Sequence, residues 1–172
     1  HHRPKQVPTP YSFIRPQTTE FSIPAGKAYL SPVIDCCDGM PVAWTIGTRP
    51  DAELANRMLR EACATLGDGE APVIHSDRGC HYRWPGWIGI CEEHGLTRSM
   101  SAKGCSPDNA AAEGFFGRLK QEFFHERDFT GVTMDEFIRR LDEYMVWYRD
   151  ERIKLEYGTS ITRRRHQLGL VA

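Results

Sequence analysis

Two acidic residues, Asp77 and Glu113, stand where a metal-dependent reaction would need them. Asp77 follows an apolar segment and precedes Gly79, which predicts a carboxylate at the exposed end of a strand with a turn behind it. Glu113 comes after thirty-five intervening residues, near the start of a helical pattern. Carboxylate oxygens bind Mg²⁺, and two divalent ions ~3.5–4 Å apart support phosphoryl transfer. We therefore infer a site that needs about three carboxylates on separate rigid elements.

Two basic residues lie close to these carboxylates in the sequence. Lys120 is seven positions after Glu113 and shares its face in an α-helix, so its ammonium group could contact a phosphate backbone. Arg78, next to Asp77, is a second candidate for DNA contact. Each residue also has a structural interpretation: Asp77 could cap a turn, and Glu113 and Lys120 could be solvated side chains on a helix surface. We favour the metal role for the two carboxylates and leave both interpretations open for Lys120.

The elements that must position these residues follow from the hydrophobic periodicity. Strands are predicted at 18–23, 28–35, 41–46, 73–76 and 96–100, and helices at 51–66, 84–94, 109–124 and from 133 onwards. Asp51 begins the first helix, Asp108 or Asn109 begins the third, and Thr133 with Glu136 forms a capping box at the fourth. This order predicts an α/β fold with a mixed five-stranded sheet, its first three strands antiparallel, and helices on both faces.

Composition limits the class of protein. The chain has 172 residues, 40% of them hydrophobic and 26% charged, which suits one domain with a real core. A net charge of −1 argues mildly against a dedicated nucleic-acid binder, although it can hide a local basic patch. The six cysteines show no C-x-x-C pair or zinc spacing, so we expect reduced thiols. Neither a membrane span nor a signal peptide is visible, and we expect a cytoplasmic protein without a membrane partner.

Six motifs resemble those of the DDE transposases of bacterial insertion sequences, whose catalytic core is shared with retroviral integrases and has the ribonuclease H-like fold. The motifs are Thr19-Glu20-Phe21, Val33-Ile34-Asp35, His75-Ser76-Asp77-Arg78-Gly79, Ser106-Pro107-Asp108-Asn109, Glu113-Gly114-Phe115-Phe116 with Leu119-Lys120, and Tyr148-Arg149 with Arg152. The resemblance covers about residues 18–170. It implies Asp77 and Glu113 as the second and third catalytic carboxylates, Mg²⁺ or Mn²⁺ as cofactor, and DNA as substrate.

The first carboxylate of that pattern is missing. Its position, two residues before Thr19, falls on Gln17, whose neutral amide is a poor ligand for Mg²⁺. Asp35, at the end of the neighbouring predicted strand, is a possible substitute ligand, although we favour a strand-end turn role for it. The resemblance therefore implies an impaired metal site.

These observations divide the chain into three parts: an irregular N-terminal arm over 1–17, an integrase catalytic core over 18–150, and a charged C-terminal extension over 151–172. In the extension, Arg163, Arg164 and Arg165 are interpreted as a solvated basic tail. The function implied is metal-dependent DNA strand cleavage and strand transfer, impaired through Gln17. The alternatives are an inactive DNA-binding or oligomerisation module of the same fold, and a ribonuclease H-like nuclease. We expect a homo-oligomer, with a DNA-recognition domain elsewhere.

Overall fold

A computed structural model describes residues 12–15, 18–66, 73–76, 85–99 and 106–170 of the chain. The strands in these ranges are β1 (Ser12–Arg15), β2 (Thr19–Ile23), β3 (Gly26–Asp35), β4 (Pro41–Gly47), β5 (Val73–Ser76) and β6 (Thr97–Ser99). The helices are α1 (Ala52–Ala64), α2 (Pro85–Glu93), α3 (Ser106–Leu119), α4 (Met134–Asp150) and α5 (Ile161–Gln167), and a π-helical turn over Lys120–Phe124 follows α3 directly.

All of these strands belong to one mixed sheet. β3 pairs antiparallel with β4 along one edge and with both β1 and β2 along the other. β1 pairs parallel with β5, and β5 pairs parallel with β6. Because β1 and β2 lie one after the other on the same edge of β3, the six strands fill five positions. The predicted mixed sheet with an antiparallel first part is confirmed, and β1 is an additional strand that was not predicted.

β1 corrects the expectation of irregular structure for residues 12–15, and the rest of the predicted arm over 1–17 lies outside the described residues. Phe13 pairs with Asp35 on β3 and with Ile74 on β5, so this short strand lies between two neighbours inside the sheet. Four residues are too few to show a clear alternation of polar and apolar side chains. Hydrogen bonds to β3 and β5 stabilise the strand, and a local reading of the sequence does not include them.

The register of pairing with β3 changes by one residue between β1 and β2. From Ile14 to Thr19 the chain advances five residues, whereas the partners on β3, from Ile34 to Leu30, advance four. An extra residue on one strand of an antiparallel pair is the arrangement of a β-bulge, which is frequent beside active sites. The register difference is between the described strands β1 and β2, and Gln17, which lies between them in the sequence, is outside the described residues.

Helices cover both faces of the sheet, as predicted. Successive residues of a strand point to opposite faces, and on β3 Val33 belongs to one apolar cluster while Leu30 and Ile34 belong to another. The first cluster contains buried residues of α1 and α2, and the second contains buried residues of α3 and α4. The sheet therefore separates two cores, and α3 lies on the same face as α4.

Two of the predicted helix starts are confirmed and one is wrong. Asp51 accepts a hydrogen bond from the Leu54 N–H at 3.1 Å, and Thr133 accepts one from the Glu136 N–H at 3.2 Å. Helix α3 begins at Ser106 and not at a cap formed by Asp108 or Asn109. A proline is tolerated in the first turn, because the N–H that it lacks has no partner there. Pro107 therefore favours an early start of the helix.

The charged end of the chain is a helix and not a solvated tail. Ser160 caps α5 by accepting a hydrogen bond from the Arg163 N–H at 3.2 Å. Arg163 is exposed, as the prediction required, but Arg165 is buried with 7% of its surface accessible. The prediction was wrong for Arg165 because carboxylates far away in the sequence surround it.

Candidate active site

Helix α3 presents Glu113 to solvent on one face, and its opposite face is buried in the core. Phe115 and Leu119 are fully buried in the core shared with α4. Glu113 and Lys120 are both exposed, and their spacing of seven residues puts them on one face of the helix. Each fully buried Phe or Leu side chain contributes about 1.5–3 kcal/mol, so the inner face determines how the outer face is oriented.

Strands β1 and β5 precede the other predicted site residues in the chain. These strands run parallel, and Arg15 is the register partner of Ser76 at their last described positions. Asp77 is the next residue of the chain after Ser76. Asp77, Arg78 and Gln17 themselves lie outside the described residues, so their predicted convergence with Glu113 stays a prediction.

Asp35 lies in a buried ionic cluster at the end of β3. Its carboxylate accepts hydrogen bonds from Arg165 Nη2 at 2.9 Å and from the Cys37 N–H at 2.9 Å. Asp38, 7% exposed, binds the same guanidinium through Nε at 2.6 Å and Nη2 at 2.8 Å. The bond to Cys37 is the strand-end turn role that we favoured for Asp35. These contacts give the Asp35 carboxylate a structural task, and no contact in the described residues tests its possible role as a metal ligand.

A second polar cluster joins the π-helical turn to α4 and to the segment after it. Glu122 accepts a hydrogen bond from the Tyr144 hydroxyl at 2.8 Å and another from Arg152 Nε at 2.9 Å. The Arg152 guanidinium also lies over the Tyr148 ring, 5.3 Å from its centroid. Arg118 donates weakly to the Tyr148 hydroxyl at 3.4 Å. The end of the helix that carries Glu113 is thus tied to α4 by polar as well as apolar contacts.

The ionisable groups of this second cluster shift one another's pKa values. Burial raises the pKa of Glu122, but the hydrogen bonds from Arg152 and Tyr144 outweigh it, and the net pKa is lowered. Burial and the bond to Glu122 both raise the pKa of Tyr144 well above its usual range, so the phenol remains a donor. For Arg152, the bond with Glu122 is the main reason that its pKa is raised. The carboxylate is therefore ionised and the guanidinium charged at neutral pH.

The pKa of Arg165, in the buried cluster at the end of β3, results from a similar balance between burial and interactions with carboxylates. Burial alone would lower the pKa of Arg165, but the hydrogen bond with Asp38 and the charges of Asp38 and Asp35 raise it overall. Lys154 adds a contact at this end of the sheet, because its Nζ donates to the Asp38 carbonyl at 3.0 Å. The cluster therefore brings two carboxylates, one guanidinium and one ammonium group close to the β3–β4 turn.

Sequence reasoning named Asp35, Arg152 and Arg165 but predicted neither cluster. Glu122 and Tyr144 lie in helical patterns, where they resemble an ordinary charged and an ordinary apolar position, and no functional role was predicted for Asp38. The one signal was Arg152, which appeared in the family-like Tyr148-Arg149 segment without a role. A pairing between residues thirty positions apart, such as Glu122 with Arg152, leaves no periodic trace in the sequence.

Metal-ligating side chains do not converge within the described part of the chain, where no group of three or more His, Cys, Asp or Glu residues is arranged to hold an ion. Among the candidates, Glu113 is a described carboxylate that is open to solvent. Asp77, the other predicted ligand, lies outside the described residues.

Comparison with known protein families shows to which family this chain belongs. The integrase core domain family matches residues 10–106, more than half of the chain, and a second integrase core domain profile matches residues 113–168. This chain belongs to the integrase core domain family. The two matches together include Gln17, Asp77 and Glu113, the three positions at which the site was predicted.

Curated relatives are transposases of bacterial insertion sequences. The probable transposase of insertion sequence element IS1353 from Shigella flexneri is 57% identical over 155 residues, covering 90% of this chain and 30% of that protein. The putative transposase InsK of IS150 from Escherichia coli K12 is 39% identical, over 80% of this chain and 48% of its own length. This integrase core chain thus spans less than half of the length of each of these relatives.

Solved structures with the same fold are retroviral integrases. The simian T-cell lymphotropic virus intasome, in complex with a PP2A regulatory subunit, matches 96% of this chain and 57% of its own with a TM-score of 0.72 and 18% identity. The BIV integrase catalytic core matches 92% of this chain and 95% of its own, with a TM-score of 0.67 and 12% identity. At these identities the likeness establishes the ribonuclease H-like integrase core fold.

None of the described helices is long and apolar enough to cross a bilayer.

Proposed function

We propose that this chain is the catalytic core of a transposase that cleaves and joins DNA strands. In this proposal Asp77 and Glu113 are catalytic carboxylates, and the activity is impaired because Gln17 occupies the position of the first carboxylate. The exposed carboxylate of Glu113, on the outer face of a helix whose inner face is fully buried, is the observation that carries the proposal. Membership of the integrase core domain family and the relationship to insertion-sequence transposases support it.

The sheet offers a second support. Strands β1 and β5 are parallel neighbours and run together as far as Arg15 and Ser76. Asp77 is the next residue of the chain after Ser76, the last residue of β5. Active residues of α/β proteins commonly lie at the carboxyl ends of parallel strands. We therefore assign the second carboxylate to Asp77.

A divalent ion, Mg²⁺ or Mn²⁺, would be held by Asp77 and Glu113. The open carboxylate of Glu113 fits a hard cation, whereas the neutral amide of Gln17 fits it poorly. When bound, such an ion would supply the activation of the attacking oxygen and the stabilisation of the charge on the phosphate. In that reaction Lys120 and Arg78 would hold the DNA backbone through its phosphates, which orients the strand without reading its sequence.

The catalytic defect can be tested by restoring the missing carboxylate. Gln17→Asp should raise both Mn²⁺ affinity and the rate of strand cleavage, because three carboxylates offset the charge of two divalent ions better than two do. The loss in the parent chain should amount to several powers of ten in rate, which corresponds to several kcal/mol in the barrier. The measurement is Mn²⁺ titration together with cleavage of labelled duplex DNA.

Two neutralising substitutions serve as controls in the same assay. Asp77→Asn and Glu113→Gln should each abolish the cleavage that Gln17→Asp restores. If the parent chain is fully active and loses nothing when Asp77 or Glu113 is neutralised, the proposed mechanism is wrong. DNA binding that depends on salt, without turnover in any variant, would instead support an inactive DNA-binding module of the same fold.

Self-association and a separate recognition domain complete the proposal. The HTLV-2 integrase catalytic core has been solved in dimeric and trimeric forms, and this chain shares its fold with TM-scores of 0.61 and 0.62. We expect this chain to form homo-oligomers, which light scattering over a range of concentrations would measure. Because the relatives are two to three times longer than the matched region, we expect DNA-end recognition to lie outside this core.

A further inference from the structure

The helix that carries Glu113 ends in an unusual way. After Leu119 the α-helical pattern changes to a π-helical turn over Lys120–Phe124, which closes with the His125 N–H donating to the Lys120 carbonyl at 2.7 Å. A π turn holds one more residue than an α turn, so it alters the direction of every side chain that follows. Such turns are uncommon and often lie at functional sites.

Glu122 occupies the middle of this turn and points toward α4. Its carboxylate is bound by two donors from separate places in the chain, Tyr144 at 2.8 Å and Arg152 at 2.9 Å. The Glu122 and Arg152 side chains are 30% and 21% exposed, so water competes with this ion pair less than with a surface pair. Phe123 and Phe124 of the same turn pack around Phe21, which fixes the turn to the sheet.

The anchored side of the helix is opposite the side that carries the candidate site. Glu122 is two positions after Lys120, and in a helix residues two apart lie on nearly opposite faces. Glu113 and Lys120 point to solvent while Glu122 points to α4. Rotation of α3 about its axis would therefore move Glu113 and break the contacts of Glu122 at the same time.

We propose that Glu122 is a positioning residue that fixes the rotation of α3 through Arg152 and Tyr144, and thereby sets the direction of Glu113. Its catalytic consequence rests on the proposed function, but its effect on the helix does not. Glu122 neither touches the substrate nor binds the metal in this scheme. It acts through the helix, so its loss should lower turnover and leave DNA binding unchanged.

The test introduces Glu122→Gln into the Gln17→Asp chain. Removing a charged hydrogen bond of this kind should lower the kcat of strand cleavage about tenfold. The KM for DNA should stay within about twofold, because no substrate contact is lost. Glu122→Gln and Arg152→Gln together should lose no more than the larger single change, because both break the same ion pair. Glu143→Gln, which removes an exposed ion pair with Arg139 on α4, is the matched control and should leave kcat unchanged.

Amide hydrogen exchange provides the readout that needs no activity. In Glu122→Gln the amides of residues 110–119 should exchange about tenfold faster, with those of α1 unchanged, and Glu143→Gln should change neither. The proposal would be overturned by unchanged amide exchange or by an unchanged kcat despite faster exchange. It would also be overturned by additive losses of kcat in the double variant. If the Gln17→Asp chain does not cleave DNA with Mn²⁺, the proposed function fails and the exchange result alone decides the role of Glu122.

Discussion

Arg165 Nη2 lies 2.9 Å from Asp35 Oδ2, a contact between residues 130 positions apart in the chain. Asp35 is fully buried and Asp38, which shares the guanidinium, is 7% exposed. The contact ties α5 to the β3–β4 turn, with Lys154 bound to the same turn. The C-terminal segment is therefore part of the folded core, although its composition alone suggests a solvated extension.

Replacing Arg165 should destabilise the fold strongly. Arg165→Met removes the partner of two buried carboxylates, and breaking a buried ion pair from one side costs about 3–5 kcal/mol. Urea denaturation followed by circular dichroism measures the difference. Arg163→Met on the same helix is the control, since Arg163 is exposed and its loss should change the unfolding free energy by less than about 0.5 kcal/mol. Equal effects of the two substitutions would contradict the buried ionic cluster.

Lys120 should contribute to DNA affinity without contributing to sequence preference. If its ammonium group contacts one phosphate, Lys120→Ala should reduce the slope of log affinity against log salt by about 0.9 and weaken all sequences alike. Fluorescence anisotropy at several salt concentrations measures both quantities. Lys27→Ala, which removes an exposed lysine paired with Glu20 at the β2–β3 turn, should leave the slope unchanged. A shift in preferred sequence would exclude a simple phosphate contact.

Glu122 should make the fold sensitive to acid. Its pKa is lowered in the folded chain from an ordinary value of 4.5, so the ionised carboxylate stabilises the fold fully above that value. The contribution is lost as the pH falls through the lower folded pKa. Between about pH 5 and pH 3 the unfolding free energy should therefore fall less steeply in Glu122→Gln than in the parent chain. Parallel curves for the two proteins would mean that the ion pair adds no stability.

The thiols of Cys63 and Cys91 should be almost unreactive in the folded protein. Burial raises the pKa of both thiols to about 11, so at pH 8 only about one molecule in a thousand carries the thiolate at either position. Maleimide labelling followed by peptide mass spectrometry should show slow modification in buffer and rapid modification in urea. Rapid labelling of the folded protein would mean that the core shared by α1 and α2 opens frequently.

Sequence patterns predicted most of the elements because those elements are amphipathic over a sufficient length. The buried stripe of α4, with Phe137, Leu141 and Met145, repeats at helical spacing. Strand β5 was predicted at its observed bounds because Val73 and Ile74 stand between two sequence stretches rich in Gly and Asp. Strand β1 and the early start of α3 were missed, since one depends on non-local pairing and the other on the tolerance for Pro107 in a first turn.

The candidate site was predictable only as a set of residues and not as a geometry. The spacing and context of Asp77 and Glu113 are visible in the sequence, and the outward face of Glu113 agrees with them. The residues that hold Glu113 in place are not visible in this way. Glu122, Arg152 and Tyr144 come from three separate segments, and a charged side chain that will be half-buried resembles any surface charge in a helical pattern.

The pairings of β1 and β2 with β3 differ by one residue. The positions that pair with Leu30 and Ile34 of β3 are therefore odd-numbered in β2 and even-numbered in β1. In β2 the odd-numbered residues, such as Phe21 and Ile23, face the core beneath α3 and α4, whereas in β1 the even-numbered Ile14 is the partner of Ile34, which faces that core. An aspartate introduced at position 17 faces α3 only if it follows the phase of β2. Deleting one residue between Arg15 and Thr19 would let both segments pair with β3 as one continuous ladder while each described residue keeps its partner.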